Sequence, residues 1–223
     1  MENSTADFDD ALIASALALI AAKGWKPFTV SEAARRADLP LPRVRARFAS
    51  RIAVLVRFQT RLDQSCLTGA LTDGPVRDRL FDIVMRRIDG LQAHRAGVLA
   101  LLRDLRWDPL TALALTPCAL RSMAWMLSGV GLDTTGLPGE LRTKGMLVLW
   151  IHTVRAWQKD ETEDLSATMA ALDQGLTRAS QAEATMAEMM GSKSTPLSED
   201  PAEPPVGEPP AGDPTSEESK PEQ

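Results

Sequence analysis

Phe28-Thr29-Val30-Ser31-Glu32-Ala33-Ala34-Arg35-Arg36-Ala37-Asp38-Leu39-Pro40-Leu41-Pro42-Arg43-Val44-Arg45-Ala46-Arg47-Phe48-Ala49-Ser50-Arg51 reads as two short helices with a tight break between them, followed by the start of a third. Thr29 suits an N-cap, and Glu32, three residues on, suits a capping box that reaches back to it. A helix over Ser31–Ala37 follows. Asp38-Leu39-Pro40 breaks it, and Pro42 fits the first turn of the next helix, which runs to about Phe48. Ser50 caps a helix from Arg51 to about Thr68. Upstream, Leu12, Ile13, Ala16, Leu17, Leu19 and Ile20 recur at helical spacing. Asp7, Asp9 and Asp10 are expected at that helix's N-terminus, and Gly24 at its stop. Three short helices, the last two joined by a tight turn, make a helix-turn-helix.

Charge sets this stretch apart. The net charge is −5 over 223 residues, but Lys26 to Arg61 holds nine basic residues against Glu32 and Asp38, a local +7. Residues 191–223 carry eight acids against Lys193 and Lys220, a local −6. A partner feels the local field, not the total. A recognition helix needs side chains that reach base edges, with phosphate donors on its flanks. Arg43, Arg45 and Arg47 fall on or near the third helix, Arg51 starts the fourth, and Lys26, Arg35 and Arg36 extend the basic field. Arg43 and Arg47, four apart, share a face.

Three segments together resemble the N-terminal module of the tetracycline-repressor (TetR) family of transcriptional regulators. They are Ala16-Leu17-Ala18-Leu19-Ile20-Ala21-Ala22-Lys23-Gly24-Trp25, Phe28 through Leu39, and Arg47-Phe48-Ala49-Ser50-Arg51. The match covers about residues 10–58. It implies an all-α fold, with a helix-turn-helix module over 1–58 and a helical ligand-binding and dimerisation domain over 59–190. It also implies operator DNA as a partner, an apolar small-molecule or lipid effector, and contacts through Thr29, Lys26, Arg36, Arg43, Arg45, Arg47 and Arg51. The chain departs from the family before the recognition helix. Pro40-Leu41-Pro42 stands where a small polar cap and a lysine are usual, Arg45 replaces a tyrosine, and Arg47 replaces a histidine. Two readings stay open: sequence-directed DNA binding, and a scaffold whose arginines are a solvated face.

Further helices are expected at about 76–90, 93–106, 109–129, 139–159 and 163–190, with joints at Asp108-Pro109 and Gly131–Gly139. Trp107, Met123, Trp125, Met126, Trp150 and His152 could line an apolar pocket, although aromatic and methionine residues at helical spacing also build cores. Leu147, Trp150, Ile151 and Val154 form one apolar face. Leu165, Met169, Leu172 and Leu176 form another. These last two helices, 139–159 and 163–190, can join two subunits as a four-helix contact or close one subunit's own core. A second resemblance, over Leu141–Gly145, Trp157–Asp164 and Ala167–Asp173, is to the TetR-like accessory family of coenzyme Q biosynthesis. It implies a lipid-binding or partner-binding protein that does not read DNA.

Other classes find no support. Two distant histidines offer no metal constellation, and there is no Gly-rich phosphate loop and no nucleophile elbow. No enzyme activity and no cofactor are expected. Cys66 and Cys118 read as reduced core thiols, with a disulfide or redox pair as the other reading. No run reaches roughly 18 apolar residues, and the acidic N-terminus lacks a signal-peptide pattern, so a cytoplasmic location is expected. Residues 191–223 hold eight of the fifteen prolines and no aromatic residue, a composition that cannot offset the entropy of ordering.

Overall fold

Nine helices and no strand make up residues 2–189, the residues that the computed structural model describes. The acidic stretch 191–223, expected to be disordered, lies outside them.

In chain order the helices are α1 (Glu2–Lys23), α2 (Val30–Arg36), α3 (Leu41–Arg47), α4 (Arg51–Leu67), α5 (Val76–Gln92), α6 (Arg95–Leu105), α7 (Pro109–Gly129), α8 (Gly136–Lys159) and α9 (Ser166–Met189). Local chemistry explains most of the boundaries. The Thr29 hydroxyl accepts from the Glu32 amide at 3.3 Å, Ser50 from Ala53 at 3.2 Å, and an Asp108 carboxylate oxygen from Thr111 at 3.1 Å. The reciprocal half of the Thr29 capping box is absent. The Glu32 carboxylate pairs with Lys23 on α1 instead. The third helix starts after Pro40, which offers no side-chain cap.

α1 differs from expectation in a way that matters below. It starts at Glu2, so Asp9 and Asp10 lie two turns inside the helix and not at its N-terminus.

α1 packs along α6, and α4 packs against α1, α5 and α7. α4 continues unbroken past residue 58. One core holds Leu12, Ile20, Trp25, Phe28, Ile88, Leu101 and Trp157, so the N-terminal module shares its interior with α5, α6 and α8. A second core holds Ile83, Met123, Met126, Leu149, Leu172 and Leu176 between α5, α7, α8 and α9. Partly buried Met85 and Trp150 touch both. α7 has the length and hydropathy of a membrane span, with a window mean of 1.3, although no run of apolar residues stood out in the sequence. Here it packs against α4 and α8 and buries Met123, Met126 and Leu127.

Candidate nucleic-acid interface

α2 and α3 form the helix-turn-helix, and α3 buries only Val44. The rest of the short helix is free to face a partner. Its arginines are not equivalent, however. The guanidinium of Arg43 stacks 4.2 Å from the centroid of the Phe8 ring. Arg47 makes a two-pronged pair with Asp9, its Nη2 donating to Oδ2 at 2.6 Å and its Nε to Oδ1. Arg57 on α4 approaches the same carboxylate at 3.4 Å. Asp9 is 2% exposed, so it acts as a buried anchor for three helices. The shared face of Arg43 and Arg47 therefore turns onto α1.

Arg45 lies on the other side of α3. It is exposed, and it makes no ion pair or hydrogen bond among the described residues. Arg36 and Lys26 are exposed and likewise unpaired there. Thr29 is occupied as the α2 cap. Arg51 donates through Nη1 to the carbonyls of Trp25 (3.1 Å) and Lys26 (2.9 Å) and stacks on the Trp25 ring. It thereby fixes the α1–α2 loop.

That loop is also held from below. Gly24 has a positive φ of +86°, and a Cβ there would stand 2.8 Å from Asp104 Oδ2, so two constraints favour glycine. Asp104 accepts from the Trp25 backbone amide at 2.8 Å, and Asp108 from the Trp25 indole at 3.3 Å. The Trp25 amide holds the Asp104 carboxyl below its usual range, and the Thr111 hydroxyl does the same for Asp108. The end of α6 and the start of α7 are thus tied to the helix-turn-helix module.

The six residues expected to line a pocket are divided. Met123 and Met126 are fully buried in the second core. Trp107 and Trp125 are 79% and 59% exposed. Trp150 lies under the guanidinium of Arg87, 5.1 Å from its ring centroid, and His152 is exposed on α8. The faces expected to join subunits are mostly spent inside one chain: Val154, Leu165, Leu172 and Leu176 are buried.

A buried polar knot occupies the junction instead. Arg87 pairs with Asp63, whose other oxygen accepts from Ser122 at 2.7 Å. Arg87 is 2% exposed, and its Nε has no partner. Sequence carried a hint of this, since Arg87 falls at i+7 from Leu80 and i+4 from Ile83, on the apolar face of α5. Burial pushes the thiols of Cys66 and Cys118 up, which keeps them protonated and unreactive, and both are free.

The arrangement of α1–α4, with α5–α9 behind, recurs in known structures. A TetR transcriptional regulator from Nitrosomonas europaea ATCC 19718 superposes with a TM-score of 0.64 at 18% identity, over 78% of this chain and 99% of that one. A tetR-family transcriptional regulator from Streptomyces coelicolor superposes with a TM-score of 0.57 at 21% identity, over 82% and 87%. The chain has the TetR fold. At these identities the likeness concerns the fold. No protein-family model and no curated protein matches the sequence. In the TetR fold of this chain, the helix-turn-helix is offered by α2 and α3, and Asp9, which sequence reasoning took for a helix-terminal acid, sets how α3 is presented.

Proposed function

We propose that this chain is a TetR-like transcriptional regulator that binds operator DNA as a homodimer and responds to a small-molecule effector. The observation that carries the reading is the exposed, unpaired trio of Lys26 in the α1–α2 loop, Arg36 at the end of α2 and Arg45 on α3. Arg45 is the base reader, through paired bonds to a guanine edge, and Lys26 and Arg36 meet phosphate. Arg43, Arg47 and Arg51 hold the module in shape.

Two recognition helices must be carried in fixed relation, and the outer faces of α7 and α8 are suited to join two copies. Leu137, Leu141, Val148 and Ile151 are exposed on α8, and Leu110, Leu113 and Trp125 on α7. Gly145 sits within the α8 set, and a Cβ there would meet nothing within 4 Å. Its own chain gives no reason for a helix-weakening glycine, whereas a crossing helix from a second copy does. Helices of 21 and 24 residues are roughly 32 and 36 Å long. Side by side they offer on the order of 700 Å², near the ~800 Å² per partner of a stable complex. α9 contributes less, because the exposed residues among its described side chains are polar or small.

A titration of DNA from upstream of its own gene, against random duplex, tests the reading. Arg45→Ala is expected to cost about 1–3 kcal/mol of specific affinity. Equal affinity for both duplexes would sink the proposal. A second reading, a lipid-binding or partner-binding accessory protein without DNA, draws on the commitment of Arg43 and Arg47 to α1 and on exposed Trp107 and Trp125. Native mass spectrometry that finds co-purified isoprenoid lipid, together with absent DNA preference, would favour it.

A further inference from the structure

An open cleft of about 680 Å³ is lined by residues of α1, α4 and α5. Its volume is in the range of small-molecule sites. Its floor is apolar, made by Ile13, Phe58 and Leu62. Gly90 lets α5 approach closely here, since a Cβ on it would stand 2.5 Å from Leu62 Cδ2. His94 meets the Phe58 ring edge-on with centroids 6.0 Å apart.

The rim is rich in donors. Arg61 is committed, giving Nε and Nη2 to the two oxygens of Asp10 at 2.8 and 2.5 Å and Nη1 to Gln64 at 3.2 Å. Arg86 uses only Nε, on Asp82 at 2.8 Å. Its two terminal nitrogens make no hydrogen bond among the described residues. Ser65 and Thr68 also line the cleft, the Thr68 hydroxyl donating to the Gln64 carbonyl at 2.8 Å. Both Asp10 oxygens are taken, and Asp82 Oδ2 accepts from Leu71 as well as Arg86. The cleft thus holds charged donors, the terminal nitrogens of Arg86, that no described group of the chain uses. Asp10 and Asp82 nearby disfavour a second negative charge on the guest.

We propose that this cleft binds a monoanionic amphiphile, a carboxylate with an apolar body. The head is held by the terminal nitrogens of Arg86, and the body lies over Ile13, Phe58 and Leu62. The guest touches α1 of the DNA-facing module and α4–α5 behind it, so it biases how the module is carried. This consequence, though not the site itself, rests on the regulator reading.

The test is calorimetry on the full chain with octanoate, and with octan-1-ol as the uncharged comparison. Octanoate is expected to bind once per chain, and octanol at least tenfold more weakly. Arg86→Gln is expected to weaken octanoate at least tenfold, as for a charged hydrogen bond. Ser65→Phe is expected to abolish binding by filling the cleft. Both positions are partly or fully exposed, so the circular dichroism of the variants stays that of the parent. No octanoate binding, equal binding of octanol, or undiminished binding in both variants overturns the proposal. Octanoate should also shift affinity for the chain's upstream DNA, and the shift should vanish in Arg86→Gln. Binding through Arg86 with unshifted DNA affinity overturns the coupling. Binding through Arg86 in a protein without DNA preference leaves the site standing and retires the regulator reading.

Discussion

Asp9 and Arg87 are the two side chains whose roles the sequence conceals most. Asp9 is buried between Arg47 and Arg57, so α3 is positioned by a charge from α1. Arg47→Ala is therefore expected to lower stability by about 1–3 kcal/mol, the cost of a lost partner for a buried acceptor. Arg45→Ala should leave stability unchanged while DNA affinity falls. Urea unfolding of the two variants separates them, and equal destabilisation would assign Arg45 a structural role too. Arg87 is a stronger case. Arg87→Met leaves the Asp63 carboxylate without its cation in the interior, at a cost of about 3–5 kcal/mol. Replacing Asp63 by Leu in the same chain should recover most of the loss, because an apolar pair carries no desolvation penalty. Failure of that rescue in urea titrations would show that Ser122 or packing, not charge, dominates the knot.

Among the elements, the α8–α9 joint carries the clearest pH signature. Asp160 accepts from the hydroxyl and amide of Thr162 (2.6 and 3.1 Å) and of Thr168 (both 2.7 Å). Arg95 donates to the carbonyls of Trp157 and Asp160 across the same turn. Buried Leu165 stands in the left-handed region with φ 54°, a cost that these bonds help to offset. The Thr162 hydroxyl is the largest influence holding Asp160 well below the usual carboxylate range. An unfolded aspartate titrates near ~3.9. The folded carboxyl has the lower value, so its contribution is complete above about pH 4 and is lost as pH falls toward that lower value. Thermal unfolding of Asp160→Asn should show a lower midpoint at neutral pH and a flatter decline below about pH 4. A parallel decline in both proteins would move the acid sensitivity elsewhere. α8 also offers a simple contrast at Gly145. Gly145→Ala is expected to stabilise the lone helix by up to about 1 kcal/mol and yet loosen a dimer that crosses there. A gain in both would place the crossing away from Gly145.

For the whole molecule, the proposed dimer and the proposed DNA contact stand or fall together. Val148→Glu puts a charge on the exposed α8 face without touching the core. Sedimentation should show it monomeric at concentrations where the parent is dimeric, with operator affinity lost in step. A Val148→Glu protein that stays dimeric would exclude this face. Two phosphate-binding cations per subunit, Lys26 and Arg36, amount to about four phosphate contacts in a dimer, so affinity should fall on the order of 10²-fold between 50 and 200 mM salt. A flat salt response would remove Lys26 and Arg36 from the interface.

How much of this was legible beforehand follows from the range of the interactions concerned. Most of the helices, the caps at Thr29 and Ser50 and the joint at Asp108-Pro109 depend on neighbours within a few residues, and they stand where the sequence implies, the early start of α1 excepted. The turn between α2 and α3 is of the same kind. What each charged or aromatic side chain does depends on residues far along the chain. Arg47 meets Asp9 across 38 positions, and Arg87 meets Asp63 across 24. The apolar faces of α8 and α9 were visible as periodicity. That Leu172 and Leu176 turn inward while Leu137 and Val148 stay outside depends on where α5 and α7 pack. The sequence by itself determined an all-helical chain with a basic helix-turn-helix, because local propensity and capping act over single turns. Only the tertiary structure decided which arginines are engaged by other helices and which stay unpaired, because an ion pair between distant helices exists only once the fold has brought them together.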